Sequence, residues 1–355
     1  MRIVVDVSPL SHRRTGVGNY IRGSLAGLVE AAGIHEVVAF APASVRGRRE
    51  IEAALSGIQV ERRLPVVPAA HALRTLWSRA GMPAAERIVG PLDVLHFSDW
   101  MYPPQRSGVR STMVHDLVPH HFPEWVHART RRMHNAKYAH AARTCDVVIV
   151  NSRFTGDDVA ETLRVPEERI YVAYPGIDDG FTPDGPRAQL GSPYALTVAT
   201  LEPRKNLATL LDAHRRRRPA LALAVAGAAG WGEQASLDAP GVIRLGYTAH
   251  EELPGLYRGA SVFVYPSLFE GFGMPVLEAM ACGVPCVVSS HPSLDEACGD
   301  AAVRADPLDP DALAAAIDRA LTDRDALVER GLAHARAFTW AANGRVHLAA
   351  WEAAR

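Results

Sequence analysis

The amino-acid sequence predicts an α/β protein with two parallel β-sheets, each in a domain of its own. The chain has 355 residues, more than one hydrophobic core usually organises. Short apolar runs alternate with helical patterns along the chain, which is typical of parallel sheets covered by helices on both faces. This pattern occurs twice, on either side of a Pro- and Gly-rich segment at residues 181–193. We therefore expect two Rossmann-like domains, at residues 1–180 and 194–338, with 181–193 as their linker.

The expected strands are the short apolar runs. In chain order they are RIVVDV, EVVAF, DVLHF, STMVHD and DVVIVNS, followed after the linker by YALTVAT, LALAVAG, GVIRLG, SVFVYP and VPCVVSS. Helical patterns lie between them at residues 17–32, 124–143, 152–164, 205–217, 250–258 and 310–321. A last amphipathic helix is expected within residues 339–355.

Composition limits the class of protein. The net charge is −1 and 48% of the residues are hydrophobic, so nothing in the composition indicates a nucleic-acid partner. The N-terminus, MRIVVDVSPL, is expected to be a buried strand and not a signal peptide, because Asp6 interrupts a short apolar run. The longest apolar stretch, residues 220–230, is about half of a membrane span. The cysteines lack zinc-site spacing and are expected to be core residues in a reducing cytoplasm: Cys145, Cys282, Cys286 and Cys298.

Residues 265–288, YPSLFEGFGMPVLEAMACGVPCVV, contain the most informative motif. Two carboxylates, Glu270 and Glu278, flank a Gly-rich turn that leads into a helix. Gly271 and Gly273 let the backbone approach a ligand closely, and amides at a helix start bind anionic or oxygen-rich groups. This combination suits a nucleotide sugar, whereas the alternative is a strand, a turn and a helix without a ligand. The predicted donor-binding residues are Gly271, Phe272, Gly273, Met274 and Glu278.

A second motif, LEPRKN at residues 201–206, follows the predicted strand YALTVAT. Arg204 and Lys205 lie where this strand ends and a helix begins, and ligands of open α/β sheets bind at the carboxyl ends of strands. Two cations there would hold a diphosphate and stabilise it as a leaving group. Lysine is rare in this chain, with Lys137 as the one other example. We expect Lys205 to be a surface cation at a helix start; the alternative is a pair of solvated cations without a ligand.

Residues 8–21, SPLSHRRTGVGNYI, form the first strand-to-helix turn. Gly16 and Gly18 permit a close backbone approach where the first helix opens. The spacing is not G-x-G-x-x-G, so it does not indicate a dinucleotide. A ligand-binding turn and a plain Gly-rich turn both fit these residues.

His115 lies in the segment MVHDLVPHHFPEW, residues 113–125. We expect it to end a strand and to point into a cleft between the domains, which favours a functional role over that of a core histidine. Asp116 is expected to orient His115 or the acceptor. His120 and His121 are expected to be loop residues.

Two D-x-D strings are candidates for a metal site. Asp309 and Asp311 form the first, and Asp323 and Asp325 form the second. Both strings lie at predicted helix starts, where Asp is a favourable N-cap. The LEPRKN motif already supplies the positive charge that a metal would provide. We therefore expect helix caps, with no metal or other cofactor.

A helix predicted at residues 71–89 carries both apolar and basic side chains. Such a helix could contact a membrane that holds a lipid acceptor, but more often it packs its apolar side on its own domain. We expect the packed arrangement. The side chains concerned are Leu73, Leu76, Trp77, Arg74 and Arg79.

The strings LEPRKN and EGFGMP together closely resemble the motifs of the retaining glycosyltransferases of family 4. The E-x7-E signature of that family corresponds here to Glu270 and Glu278. The resemblance covers nearly the whole chain and implies the GT-B fold, in which two Rossmann-like domains face a central cleft. It also implies that residues 339–355 form a helix that crosses back to the first domain.

The resemblance implies a nucleoside diphosphate sugar as donor in the second domain and an acceptor in the first. It implies transfer with net retention, by front-face attack. Glu270 would contact the sugar hydroxyls and the developing positive charge, and Glu278 would hold the ribose hydroxyls. Arg204 and Lys205 would stabilise the departing diphosphate. His115 would contact the donor sugar near the reacting carbon.

The family pattern also assigns the turn at residues 8–21 to closure over the donor phosphates. One departure concerns the phosphate site. Many relatives have a Gly-Arg pair just before the E-P-R-K segment, whereas this chain has Ala199 and Thr200. Arg204 would therefore carry more of the phosphate charge.

Two other functions stay open: a nucleotide-sugar epimerase or hydrolase of the same fold, and a sugar-binding protein without catalysis. The pairing of LEPRKN with EGFGMP favours the transferase. The acceptor is expected to be a saccharide, a lipid-linked sugar or a secondary metabolite. The nucleotide base, the sugar, the linkage and the oligomeric state are not determined by the sequence.

Overall fold

The computed structural model describes two compact units. The N-terminal unit consists of Met1–Leu117, Arg129–Gly176 and Thr339–Arg355, and the C-terminal unit consists of Val118–Ala128 and Ile177–Phe338. The structure thus assigns Val118–Ala128, which the sequence analysis placed in the first domain, to the C-terminal unit. The residues described are 1–67, 73, 76–77, 80–98, 102–217, 221–230 and 235–355.

The N-terminal unit is built on a parallel sheet. Its strands are β1 Arg2–Asp6, β2 Glu36–Phe40, β3 Glu61–Arg63, β4 Val94–Phe97, β5 Val109–Val114, β6 Val147–Val150 and β7 Ile170–Val172. Within the described residues they form seven strands in the order β3-β2-β1-β4-β5-β6-β7. Val4 lies opposite Val38 and Leu95, and all three are fully buried. Its helices are Gly16–Ala31, Val45–Ala54, Glu86–Val89, Ala128–Thr144, Arg153–Leu163 and Trp340–Ala353.

The C-terminal unit repeats this arrangement. Its strands are β8 Tyr194–Val198, β9 Ala222–Ala226, β10 Val242–Gly246, β11 Val262–Tyr265, β12 Cys286–Ser289 and β13 Ala302–Ala305. Within the described residues the order is β10-β9-β8-β11-β12-β13, with all neighbours parallel. Its helices are Val118–His121, Leu207–Arg216, Leu253–Gly259, Met274–Ala281, Asp295–Cys298, Pro310–Thr322 and Arg324–Ala335. The order makes β8 and β11, the strands that precede the LEPRKN and EGFG motifs, direct neighbours.

Every strand expected from the sequence is confirmed, whereas β3, β7 and β13 were missed. These three lie at sheet edges and pair on one side, so short and partly polar segments suffice there. The helix Val45–Ala54 was missed as well, because half of its residues are charged and it buries little. The expectation that His120 and His121 are loop residues is wrong, because both lie in the short helix Val118–His121. The four cysteines are buried and unbridged, as expected.

The C-terminal helix Trp340–Ala353 packs closely along the helix Gly16–Ala31 within the N-terminal unit. A Cβ at Gly27 would lie 1.8 Å from the carbonyl oxygen of Trp340, and a Cβ at Gly344 would lie 2.2 Å from that of Gly27. Glycine is therefore required on both helices for their backbones to approach this closely.

The segment 71–89 is described only in part. Trp77 is 3% exposed and belongs to the core of the N-terminal unit, whereas Leu76 is 44% exposed. Arg74 and Arg79 lie outside the described residues. No helix among the described residues is long and apolar enough to cross a membrane.

Candidate functional site

The LEPRKN and EGFG motifs meet at the carboxyl edge of the C-terminal sheet, because β8 and β11 are neighbours. After β8 the chain forms a 3-10 turn at Pro203–Lys205 and then the helix Leu207–Arg216. After β11 it forms a loop and then the helix Met274–Ala281. The backbone N–H of Leu268 donates to the carbonyl of Arg204 at 2.8 Å, which joins the two loops.

Glu270 lies at the centre of a buried group of charges. Its Oε1 accepts hydrogen bonds from Nζ of Lys205 at 2.5 Å and from the hydroxyl of Tyr265 at 3.0 Å. Its Oε2 accepts from Nη1 of Arg204 at 2.8 Å. Nε of Arg204 donates to Glu202 at 2.9 Å. These contacts fix both cations of the LEPRKN motif at the sheet edge.

Lys205 is not the surface cation that the sequence analysis expected, because it is only 6% exposed. The contacts of its ammonium with Glu270 and Tyr265 offset the cost of burial. Burial, followed by the charge of Arg204, lowers the pKa of Lys205, while Glu270 opposes this shift. Burial by itself raises the pKa of Glu270, but the charges of Arg204 and Lys205 outweigh it and hold that pKa at about 2. Glu270 is therefore ionised at neutral pH.

Glu278 is equally buried, at 6% exposed, but it has different partners. Its Oε2 accepts a hydrogen bond from the hydroxyl of Tyr257 at 2.9 Å, and Oε1 has no donor among the described residues. Burial raises the pKa of Glu278, the charge of His250 and the Tyr257 hydrogen bond lower it, and Asp178 raises it. A buried carboxylate with one open oxygen can accept hydrogen bonds from ligand hydroxyls.

The turn between the two glutamates requires a glycine at one position. Gly273 is the N-cap of the helix Met274–Ala281, with a φ of +105°, and a Cβ there would lie 2.6 Å from Leu294. Any other residue would be strained and would clash. Pro275 occupies the first turn, and no side chain caps the helix.

The other predicted residues of this turn differ in exposure. Phe272 is 2% exposed and packs against Phe338 with ring centroids 5.6 Å apart. Its side chain is therefore part of the core, which leaves its backbone for ligand contact. Gly271 is buried and Met274 is half-buried.

Sequence reasoning missed the residues that hold the two glutamates. Tyr265 ends β11 and Tyr257 lies on the helix Leu253–Gly259, and both stand in apolar runs that indicate core positions. Ser293 was missed as well, and its Oγ accepts a hydrogen bond from the backbone N–H of Glu270 at 3.0 Å. The one signal in the sequence that could have identified the tyrosines was a phenolic hydroxyl at an otherwise apolar position near the motif. A buried hydroxyl needs a hydrogen-bond partner, so such a tyrosine indicates a polar group nearby.

The N-terminal unit holds the remaining candidates, of which His115 has the most distinctive surroundings. Its Nε2 is buried and has no hydrogen-bond partner among the described residues. Its ring meets that of Tyr20 edge-on, with centroids 5.1 Å apart. Burial, followed by the charges of Lys137 and His134, lowers the pKa of His115 to about 3. The imidazole is therefore neutral at neutral pH and can form a hydrogen bond with a ligand.

Gly16 and Gly18 lie in the first turn of the helix Gly16–Ala31. A Cβ at Gly16 would meet nothing within 4 Å, and one at Gly18 would make an ordinary contact at 3.6 Å. Packing of the described residues does not explain these glycines, and close approach of a ligand stays the prediction. Asp116 is half-buried, and its carbonyl accepts a hydrogen bond from the hydroxyl of Tyr138 at 2.9 Å.

The first D-x-D string forms the helix cap that the sequence predicts. Asp309 accepts hydrogen bonds from two backbone N–H groups of the helix Pro310–Thr322, at 2.8 and 3.2 Å. Asp323 is the N-cap residue of the helix Arg324–Ala335, as expected, but its carboxylate makes no cap hydrogen bond. Instead it accepts a hydrogen bond from Nε of Arg319 at 3.4 Å. Among the described residues, no group of three or more His, Cys, Asp or Glu side chains could hold a metal ion.

Comparisons with known proteins cover almost the whole chain. Residues 14–181 match the family described as Glycosyltransferase Family 4, and residues 182–335 match the family described as Glycosyl transferases group 1. O-antigen chain mannosyltransferase B of Escherichia coli is 32% identical over 377 residues, which cover 96% of each chain. A GDP-mannose-dependent alpha-(1-6)-phosphatidylinositol monomannoside mannosyltransferase of Mycolicibacterium smegmatis is 30% identical, covering 90% of this chain and 89% of its own.

Solved structures share the fold. Sucrose-phosphate synthase from Thermosynechococcus elongatus gives a TM-score of 0.70 at 19% identity and covers 99% of both chains. Anabaena HepE in complex with UDP and glucose gives a TM-score of 0.71 at 18% identity and covers 98% of both chains. The relatives favour the transferase prediction over an epimerase, a hydrolase or a sugar-binding protein. The chain therefore belongs to glycosyltransferase family 4 and is a glycosyltransferase with the GT-B fold.

Proposed function

We propose that this glycosyltransferase moves a mannosyl group from GDP-mannose to a saccharide hydroxyl, with retention of the anomeric configuration. The arrangement around Glu270 and Glu278 carries the proposal, because it combines two fixed cations with a buried carboxylate that has an open oxygen. The names of the Escherichia coli and Mycolicibacterium smegmatis relatives support a mannosyl donor, and the second name specifies GDP-mannose. Retention rests on the likeness of residues 265–288, which include Glu270 and Glu278, to the E-x7-E signature.

Arg204 and Lys205 are proposed to bind the diphosphate and to stabilise it as it leaves. Glu270 holds both cations in place, so they need little rearrangement when negative charge develops on the leaving oxygen. A fixed charge in a buried site also interacts more strongly than one in water. These properties match the demands of a departing nucleoside diphosphate.

The two glutamates are proposed to bind different parts of the donor. Glu278 would accept hydrogen bonds from the ribose through Oε1. Glu270 accepts three hydrogen bonds from side chains, and because a carboxylate has about four acceptor positions, one sugar hydroxyl fits as well. Its negative charge would also stabilise positive charge at the reacting carbon. His115, neutral at neutral pH, would contact the donor sugar.

We also propose that transfer needs no metal ion. Arg204 and Lys205 supply two positive charges to the diphosphate, which is the role that a divalent cation would have. The acceptor is proposed to be a saccharide of a growing polysaccharide, in view of the O-antigen relative.

A panel of ligands tests the donor. GDP, GDP-mannose, GDP-glucose, UDP-glucose and guanosine are compared by thermal shift, since a ligand at about a hundred times its Kd stabilises by about 2.7 kcal/mol. We expect the GDP compounds to raise the Tm most and guanosine to raise it least. A larger shift with UDP-glucose would contradict the donor proposal.

The stereochemistry of the product tests retention. GDP-mannose carries an α-linked sugar, so retention predicts an α-mannoside, which the anomeric signals in NMR distinguish from a β-mannoside. A β-linked product would contradict the proposed mechanism while leaving the donor assignment intact.

A further inference from the structure

Each glutamate of the site accepts a hydrogen bond from a buried tyrosine. Tyr265 donates to Oε1 of Glu270 at 3.0 Å, and Tyr257 donates to Oε2 of Glu278 at 2.9 Å. The two tyrosines are 2% and 0% exposed. Burying a hydroxyl costs free energy unless it is hydrogen-bonded, so packing alone would favour phenylalanine at both positions.

The two tyrosine hydroxyls differ in how much each contributes to holding its glutamate in place. Without the hydroxyl of Tyr265, Glu270 would keep its contacts with Arg204 and Lys205. Glu278 has one hydrogen-bond donor to its side chain among the described residues, and that donor is the hydroxyl of Tyr257. Removing it would leave the Glu278 carboxylate without a side-chain hydrogen bond from the described residues to fix its orientation.

The ring of Tyr257 has a separate role in packing. It lies 5.9 Å from the ring of Phe181 and 5.4 Å from that of Phe263, measured between centroids. A phenylalanine would keep both contacts. The hydroxyl can therefore be tested apart from the ring.

Other charges near Glu278 do not replace this hydrogen bond. The charges that act on Glu278 are those of His250 and Asp178, and their effects on its pKa are opposite in sign. Nε2 of His250 and Oδ2 of Asp178 lie 2.9 Å apart. Cys282, which follows the same helix, is uncharged because burial raises its pKa to about 12. Tyr257 is thus the one side chain, among those described, that directly orients Glu278.

We propose that Tyr257 is a positioning residue for the donor nucleotide: its hydroxyl fixes Oε2 of Glu278 and so leaves Oε1 for the hydroxyls of a ribose. A carboxylate oxygen has two lone pairs, so Oε1 can accept hydrogen bonds from both neighbouring hydroxyls of a ribose. The inference rests on the proposed role of Glu278 in donor binding.

The test is calorimetric titration of Tyr257→Phe with GDP at several pH values. We expect GDP affinity to fall about tenfold near neutral pH, as for the loss of one hydrogen bond to a charged group. Turnover at saturating donor should be unchanged, because the ribose does not change during the reaction. The hydrogen bond lowers the pKa of Glu278, so its loss should move the acid midpoint of GDP binding to higher pH.

Tyr194→Phe is the matched control. Tyr194 is 1% exposed, and its hydroxyl donates to the backbone carbonyl of Leu256 at 2.8 Å and not to a glutamate. This variant should keep the wild-type affinity for GDP and the wild-type acid midpoint. Titration with 2′-deoxy-GDP adds a second readout, because the penalty for the missing hydroxyl should be smaller in Tyr257→Phe than in the wild type.

Glu278→Gln separates failure of this inference from failure of the proposed function. If it weakens GDP binding while Tyr257→Phe behaves like Tyr194→Phe, the positioning role is overturned and the role of Glu278 stands. If Glu278→Gln binds GDP like the wild type, both fail. If Tyr257→Phe is unstable, it can be combined with Glu278→Gln, because the double variant has no unpaired charge at position 278. The double variant should bind GDP as Glu278→Gln does. Weaker binding than that of Glu278→Gln would contradict the inference.

Discussion

Glu270 and Glu278 belong to one motif and are both 6% exposed, yet their electrostatic surroundings differ. The charges of Arg204 and Lys205 overcome burial and hold the pKa of Glu270 at about 2. The direct partner of Glu278 is the neutral hydroxyl of Tyr257, and burial raises its pKa. The comparison shows that burial destabilises the charged form of both glutamates, whereas the neighbouring groups determine whether the pKa is finally raised or lowered.

The difference arises from the elements against which each residue packs. Glu270 lies in the loop after β11, which contacts the loop after β8 that carries both cations. Glu278 lies on the helix Met274–Ala281, which packs against the helix Leu253–Gly259 that carries Tyr257. In the proposed function, these two surroundings suit the diphosphate and the ribose, respectively.

Replacing a cation beside Glu270 should have the largest effect. In Lys205→Ala, turnover should fall about a hundredfold, on the order of 3 kcal/mol, because the departing diphosphate loses a fixed charge. Lys205 is also buried against Glu270, so the free energy of unfolding should fall by about 3 kcal/mol. Steady-state kinetics and urea unfolding measure the two effects.

Ligand binding distinguishes these two consequences of Lys205→Ala. Its affinity for GDP should fall, whereas its affinity for guanosine, which has no phosphate, should stay at the wild-type level. Turnover within about threefold of the wild type would contradict the assignment of Lys205 to the diphosphate.

Removing the charge of Glu270 should have the next largest effect. Glu270→Gln should lower turnover about tenfold or more, because positive charge at the reacting carbon develops mainly in the transition state. It should also lower the Tm at neutral pH, since Arg204 and Lys205 lose a shared counter-charge. Because the pKa of Glu270 is held at about 2, its ionised carboxylate stabilises the folded state fully above pH 4.5, the ordinary pKa of a glutamate. This stabilisation is lost as the pH falls towards 2. The Tm difference from the wild type should therefore narrow on acidification.

Glu202→Gln is the control for Glu270→Gln. The carboxylate of Glu202 pairs with Nε of Arg204 at 2.9 Å. The hydrogen bond between Glu202 and Lys205 joins two backbone groups, at 3.0 Å, and is kept in Glu202→Gln. We expect a smaller loss of Tm and of turnover from this variant. Equal losses from both variants would show that Glu270 acts only as a counter-charge for Arg204.

Removing the charge of Glu278 should have a smaller effect on turnover and an opposite effect on stability. Glu278→Gln should weaken GDP binding about tenfold with little change in kcat. Because the pKa of Glu278 is raised in the folded state, the protonated side chain is the form that favours folding. This contribution to the free energy of unfolding is lost as the pH rises through the folded-state pKa. The uncharged variant should therefore have a higher Tm than the wild type at neutral pH. If Glu270→Gln abolishes GDP binding while Glu278→Gln binds normally, the two roles are reversed.

Chelation should have the smallest effect. With excess EDTA, turnover should stay within about twofold of the untreated enzyme, because Arg204 and Lys205 supply the charge that a metal would provide. Loss of activity that Mn²⁺ or Mg²⁺ restores would contradict metal independence and would direct attention to Asp309 and Asp323.

Much of the candidate site could be predicted from the sequence because it depends on local chemistry. The turn that contains Gly273 needs a positive φ, and apolar runs place the motifs at strand ends. Tyr257 and Tyr265 could not be assigned, because a tyrosine in an apolar run looks like any other core residue. The burial of Lys205 was also mispredicted, since its helix-start position says nothing about the distant Glu270 that covers it.

The sequence by itself determined the alternation of strands and helices, the two parallel sheets and the position of each motif after its strand. These features follow from the pattern of apolar residues and from backbone preferences within a few positions. Only the tertiary structure decided that Val118–Ala128 belongs to the C-terminal unit and that one glutamate meets two cations while the other meets a hydroxyl. The physical reason is that a charge responds to every group packed around it, and those groups come from segments far apart in the chain.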